Sequence, residues 1–292
     1  MRMASSVLAA LCFSFGLLLS MPTASAASDW DNCQSLVMAE RIQGCSNIIR
    51  QKRGGNKRLA QAYHNRAFAY EYEKDFDNAI LDYGKSAQSD PELGTSHNRL
   101  GSLYAAEKRD YEKAAFHYTR AIEHSAQEGP EFNAENYHFR GRVYKALNKP
   151  EQAKADFTKS LSLYTEMERA TPKNHHLALR GAVYVDLGDF DQAMKHLNEA
   201  IEKGPRASIF WSDALASRGD VYVARGEFAL AIADYGKSLE SSFAAATALY
   251  RRGIAYEKSG DKQRAIADFR KSIEKHKDRD SREAIARLEA SR

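Results

Sequence analysis

The chain has 292 residues, 43% hydrophobic and 28% charged, with 43 Lys and Arg against 39 Asp and Glu. That is enough apolar material to bury a core, and a net charge of +4, with both signs interspersed and no run of five like charges, is a poor match for nucleic acid or anionic lipid. Only 6 prolines interrupt a composition rich in Ala, Leu, Glu, Lys and Arg, so an all-α fold is expected.

Residues 1–26 read as a cleaved secretory leader, with a basic start at Arg2, an apolar run from Val7 to Leu19, and Ala-Ser-Ala ahead of Ala27. The run is about 13 residues, short of the ~20 that cross a bilayer, and nothing later resembles a transmembrane helix. Cys12 sits inside it behind the bulky Leu11, a poor setting for lipid modification. The expectation is an exported, periplasmic chain. Cys33 and Cys45 survive cleavage, and two thiols in an oxidising compartment are expected to pair. Their bridge would staple residues 27–59, an N-terminal cap in which Ile42, Cys45, Ile48 and Ile49 share a helical face; by loop entropy it contributes up to about 3 kcal/mol. A redox pair usually has two residues between its cysteines, which this spacing does not.

From residue 60 a pattern recurs six times. A small residue is followed three positions on by Tyr: Ala67 and Tyr70, Gly101 and Tyr104, Gly141 and Tyr144, Gly181 and Tyr184, Gly219 and Tyr222, Gly253 and Tyr256. Nine residues after each Tyr, ten in the second copy, comes Ala79, Ala114, Ala153, Ala193, Ala231 or Ala265. Four further on is a large side chain (Tyr83, Tyr118, Phe157, Leu197, Tyr235, Phe269), then a small one three beyond. Each copy holds two amphipathic helical stretches joined by a polar turn, so each predicts a helical hairpin whose small residues let two backbones approach while the large ones fill the space beside them. The small residues lie 34, 40, 40, 38 and 34 apart, so the middle copies carry insertions. One is Leu161 to His176, which lengthens the third hairpin; another, Arg206 to Asp213, precedes the fifth.

This order of small residue, Tyr, Ala, large residue and terminal Pro resembles the tetratricopeptide repeat, a 34-residue helical hairpin. The resemblance implies a superhelical solenoid of antiparallel hairpins over residues 60–279, closed by a C-terminal capping helix at 280–292. There Asp280 and Glu283 have a capping-box-like spacing, and Ile285 and Leu288 are expected inside. It also implies a concave groove, lined by the first helices, that binds a protein or peptide partner. The positions carried over include His138, Arg142, Lys145, Ala178, Ala182, Val185, Asp213, Ala216, Asp220, Val223 and Tyr250. The small and apolar members among them would form a shallow trough between a basic flank and an acidic one, suited to an amphipathic helix or extended peptide. The alternative is that they only tighten the superhelix. The Lys of a carboxylate-clamping groove has no match beside His64 and Asn98.

Trp30 is expected to pack on the cap. Trp211 either anchors a partner or fills the gap between unequal hairpins. His175 and His176 are adjacent, point about 100° apart on a helix, and could face one ion only with an outside ligand, so no metal site is expected. No nucleophile elbow and no phosphate-cradling Gly-rich loop is present, so neither catalysis nor a cofactor is expected. The reading is a non-enzymatic adaptor or scaffold. A regulatory or targeting subunit of a cell-envelope, cell-wall-remodelling enzyme complex is the alternative, and a hydrolase with an unrecognised site a distant third.

Overall fold

The computed structural model describes residues 28–52, 54–125, 128–171, 173–206, 208–240, 245–275 and 279–290; the leader sequence, Cys12 included, lies outside them. Fifteen α-helices and no strand are found among the described residues. Helices α1 (Asp29–Cys33) and α2 (Met38–Gln51) form the N-terminal cap. Six hairpins follow: α3 (Gly55–Tyr72) with α4 (Phe76–Ser89), α5 (Gly94–Leu103) with α6 (Tyr111–Glu123), and α7 (Pro130–Ala146) with α8 (Pro150–Ala170). The rest are α9 (Asn174–Leu187) with α10 (Phe190–Lys203), α11 (Ile209–Ala224) with α12 (Phe228–Ser238), and α13 (Ala245–Lys258) with α14 (Lys262–Lys275). Helix α15 (Arg279–Ala290) ends the stack. The first hairpin starts at Gly55, earlier than the pattern implied. None of the described helices is long and apolar enough to cross a membrane.

In the five hairpins whose repeated small residue is glycine, it sits directly against the large residue of the second helix. A Cβ on Gly141 would lie 2.6 Å from Phe157, one on Gly181 2.5 Å from Leu197, and one on Gly253 2.6 Å from Phe269, too close for any side chain. The turns are equally regular. The residue before each second helix's N-cap has positive φ in all six hairpins: Lys74, Arg109, Asn148, Gly188, Gly226 and Gly260. The N-cap amide then donates to the carbonyl of the repeated Tyr, as from Asp75 to Tyr70 and Asp189 to Tyr184. Asp side chains at these caps accept from the third helical amide, Asn78, Lys113, Gln192 and Arg264. In the second hairpin the extra residue after Tyr104 is absorbed by a π-helical turn over Tyr104–Lys108, and the amide of Asp110 still reaches the Tyr104 carbonyl.

Cys33 and Cys45 are bonded, and Trp30, Ile48 and Ala62 pack around them with the Arg58 guanidinium over the Trp30 ring. At the other end Ala284 and Leu288 are buried against Phe269, with Ile285 beside them. Asp280 is not an N-cap, because α15 already begins at Arg279. Its carboxylate meets Arg109 instead, Glu283 lies 3.5 Å from the same guanidinium, and Lys74 Nζ donates to the Lys275 carbonyl. The superhelix therefore curves far enough for its last helices to touch the turns of its first two hairpins.

Candidate functional site

The first helices α3, α5, α7, α9, α11 and α13 carry the positions that the repeat pattern assigns to the inner face. The structure changes their character. Ala178 and Ala216 are 3% and 7% exposed and act as packing residues that let neighbouring first helices approach, Ala178 also lining a cavity of about 270 Å³ with Phe210 and Trp211. Ala182, Val185 and Val223 are half-buried, the two valines packed against adjoining core clusters, and Tyr250 leans on Phe269.

Charge dominates in place of the trough. His138 Nε2 is 2.8 Å from Asp186 Oδ2, Arg142 approaches the same oxygen at 3.6 Å, and Lys145 Nζ donates to the Asp186 backbone carbonyl. Burial pushes the Asp186 carboxyl up, but the His138 hydrogen bond and the charges of Arg142 and Lys145 outweigh it and hold the group below its ordinary value. On α11 the balance is reversed. Burial raises Asp220 even though Arg251 lies 3.0 Å away and the Tyr235 hydroxyl donates to it, and burial likewise raises Asp213. Further back, Tyr83 donates to Glu71, which also faces Arg99. Of these inner-face positions, His138, Arg142 and Lys145 meet at Asp186, and Asp213 and Asp220 lie near Arg251. Asp186 and Arg251, their partners, and Arg99, the partner of Glu71, were missed, because each is an ordinary charged helix residue outside the four offsets carried over from the family.

An apolar recess of the inner face lies nearer the N-terminus than the expected trough. A cavity of about 390 Å³ opens between the second and third hairpins, with Tyr118 and Phe139 as its aromatic wall, Ala105, Val143 and Ala146 along its sides, and Ser102 and Arg142 at its polar edge. The two rings are tilted at 33° with centroids 5.9 Å apart. Burial pushes the Tyr118 hydroxyl up to about 12, so it stays protonated at neutral pH. Such a recess accepts one apolar side chain and offers a guanidinium to an anion beside it. Trp211, 7% exposed, packs at the junction between the fourth and fifth hairpins, where with Phe210, Ala200 and Gly204 it lines the separate cavity of about 270 Å³.

A second regularity also escaped the small-and-large template. The residue before the small position and the residue before the large one form a bidentate ion pair, Arg66 with Asp82, Arg140 with Asp156, Arg218 with Asp234 and Arg252 with Asp268, each spanning 16 residues. Four Arg/Asp coincidences at one spacing were visible in the sequence and would have marked the pair.

Known proteins agree with this architecture. Tetratricopeptide-repeat family models match residues 60–93, 134–166, 177–202 and 217–281. A tetratricopeptide repeat protein from Parabacteroides merdae superposes with a TM-score of 0.63 at 22% identity, covering 89% of this chain and 95% of that one. A chain of the APC/C hetero-tetramer Cut9-Hcn1 does so at 0.54 and 17%, over 86% and 48%. Both likenesses concern the fold. Stress-induced-phosphoprotein 1 of Caenorhabditis elegans is 26% identical over 166 residues, 49% of this chain and 52% of its own, so the chain spans about half the length of that curated relative. With six stacked hairpins and matches over more than half its length, the chain belongs to the tetratricopeptide-repeat family.

Proposed function

We propose that the chain is a non-catalytic adaptor that holds a partner peptide against the inner face of its superhelix, between the second and fourth hairpins. The Tyr118–Phe139 recess beside Arg142 carries this reading. An apolar side chain of the partner fills the recess, and a neighbouring carboxylate pairs with Arg142, which is about half exposed and only loosely engaged at 3.6 Å from Asp186. Lys145 extends the basic flank, while Asp213 and Asp220 set the polarity of the bound segment from the other side. Protein binding is the general role of this repeat; the recess makes it specific.

The test is selection from a random peptide library displayed on phage. Enrichment of an aromatic or aliphatic residue next to Asp or Glu, with binding lost on Arg142→Glu, supports the site. Enriched peptides that bind Arg142→Glu equally well remove it. Export completes the proposal: the leader-like start and the Cys33–Cys45 bridge are consistent with an oxidising compartment. A free-thiol assay on chain isolated from its own cells should detect no reactive thiol, and two reactive thiols would place it in a reducing one.

A further inference from the structure

The insertion that lengthens the third hairpin does more than extend α8. It carries Glu168 near the end of that helix and His175 and His176 in the first turn of α9, and it brings them against Glu131 in the first turn of α7. Glu131 is the outside ligand that two adjacent histidines need. Its Oε1 is 3.0 Å from His175 Nε2 and its Oε2 3.9 Å from His176 Nε2, while the two imidazoles meet edge to face with centroids 4.5 Å apart. One atom from each of the three side chains lies within 4.8 Å of the others.

His176 supplies the second observation. It is 2% exposed, yet neither ring nitrogen has a hydrogen-bond partner among the described residues, and neither does the buried Oε2 of Glu168, 3.5 Å from its Nδ1. A buried imidazole without a partner is costly. A cation held by Nε2 would polarise the ring and draw the Nδ1 proton to Glu168, the carboxylate–histidine–metal relay of many metal sites.

We propose that Glu131, His175 and His176 bind one divalent transition ion of the zinc class, with Glu168 as the carboxylate that orients His176, so that the ion clamps the third hairpin to the fourth. Two imidazoles and a carboxylate suit such an ion and not Mg²⁺ or Ca²⁺. Zinc bonds of about 2.0–2.1 Å require ligand atoms roughly 3.4 Å apart, which side-chain shifts of about 1 Å provide here. The helix N-termini of α7 and α9 oppose a cation, but Glu128 adds to the charge of Glu131 and Glu168, against Lys173 alone among the Lys and Arg residues lining the adjoining cavity. That cavity, bordered by Met167 and Thr171, leaves room for water at the fourth position.

The test uses the whole chain without an affinity tag, stripped with a chelator and titrated with Zn²⁺, with Co²⁺ as the spectroscopic probe. The expectation is one ion per chain, a rise in melting temperature that saturates with Zn²⁺, and Co²⁺ d–d bands altered in Glu131→Gln. Glu131→Gln should weaken binding at least tenfold, and Glu168→Gln about 10- to 100-fold, with the metal-free melting temperature of both near that of the parent. His97, His117 and His124 form the other imidazole group, with His97 and His117 Nδ1 3.1 Å apart, so His117→Gln is the control and should bind Zn²⁺ normally. Zn²⁺ binding unchanged in both Glu variants, loss confined to His117→Gln, or no binding by the parent would each overturn the proposal.

Discussion

The second and fourth hairpins differ from the other four at one polar position, and the difference shows what the repeat tolerates. Where the first, third, fifth and sixth place Asp opposite Arg, these two place histidine. In the second hairpin Leu100 stands at the Arg position and His117 at the Asp position, where it stacks on Tyr104 and leans its Nδ1 on His97. His196 faces Arg180 but makes no ion pair: the Arg180 Nε and the His196 Nδ1 both lack partners among the described residues, and His196 stacks on Tyr184 instead. The contact of small residue with large residue is the same in both classes. Backbone approach is therefore the fixed requirement of the hairpin, and the buried polar pair is a replaceable accessory.

The largest break in the comparison should come from removing one member of an existing pair. In Asp156→Ala the Arg140 guanidinium, 15% exposed, loses both bonds to the carboxylate and keeps only Thr119, so stability should fall by about 3 kcal/mol. His196→Ala, at the equivalent place in the fourth hairpin, leaves no new orphan and should cost about 1 kcal/mol, less than half as much, its main loss being ring packing. Denaturant unfolding followed by amide exchange per hairpin reads both, and equal losses would show that the ion pair carries no special weight.

The converse test strikes the shared element. Gly181→Leu and Gly141→Leu should each destabilise by about 2 kcal/mol, irrespective of hairpin class, because the first atom of any side chain already collides with Leu197 or Phe157. An unchanged melting curve for either variant would mean that the helices can separate at that contact.

These contacts explain how much of the molecule could be read beforehand. Gly181 against Leu197 and Ala67 against Tyr83 are set by helical periodicity and volume, which a sequence displays directly, and even the ten-residue step after Tyr104 foreshadowed its π turn. The site was less legible. Whether Ala178 faces the groove or the next first helix depends on the rotation between hairpins, which no offset within one repeat encodes. Asp186 reaches His138 across 48 residues and Glu131 reaches His175 across 44, so neither pairing leaves a local spacing. The recess at Tyr118 and Phe139 likewise forms only where two hairpins meet.

Acid should expose the difference between the classes next. Burial depresses His97 and His117 from 6.5 to about 4, so the unfolded chain takes up protons that the folded hairpin refuses. A base with a depressed folded-state value is neutral and harmless above pH 6.5, and stability is lost as pH falls from 6.5 toward 4. Between pH 7 and pH 5 His117→Leu should therefore lose about 1 kcal/mol less than the parent. Parallel losses in melts at the two pH values would place the acid sensitivity elsewhere, His64 in the first hairpin being the next group, since burial lowers it to about 4 as well.

The smallest effect tests whether the second class can be converted into the first. His196→Asp would set a carboxylate opposite Arg180 in the frame that joins Arg218 to Asp234 at 2.6 and 2.8 Å. The gain is limited on two sides: the new charge must be desolvated at a site 7% exposed, and the stack on Tyr184, 3° from parallel, is lost. A rise of at most about 1 kcal/mol at pH 7 is expected. The pH window of its loss should also move, from below 6.5 to below about 4, with the sign unchanged. Burial holds His196 below its ordinary value, so the parent side chain weakens the fold as pH drops below 6.5. A paired Asp, with its folded value depressed, contributes fully above its ordinary value of about 4 and is lost only below it. If His196→Asp lowers the melting temperature at pH 7, the aromatic stack outweighs the pair, and histidine in the fourth hairpin is a packing choice and not a vacant half of an ion pair.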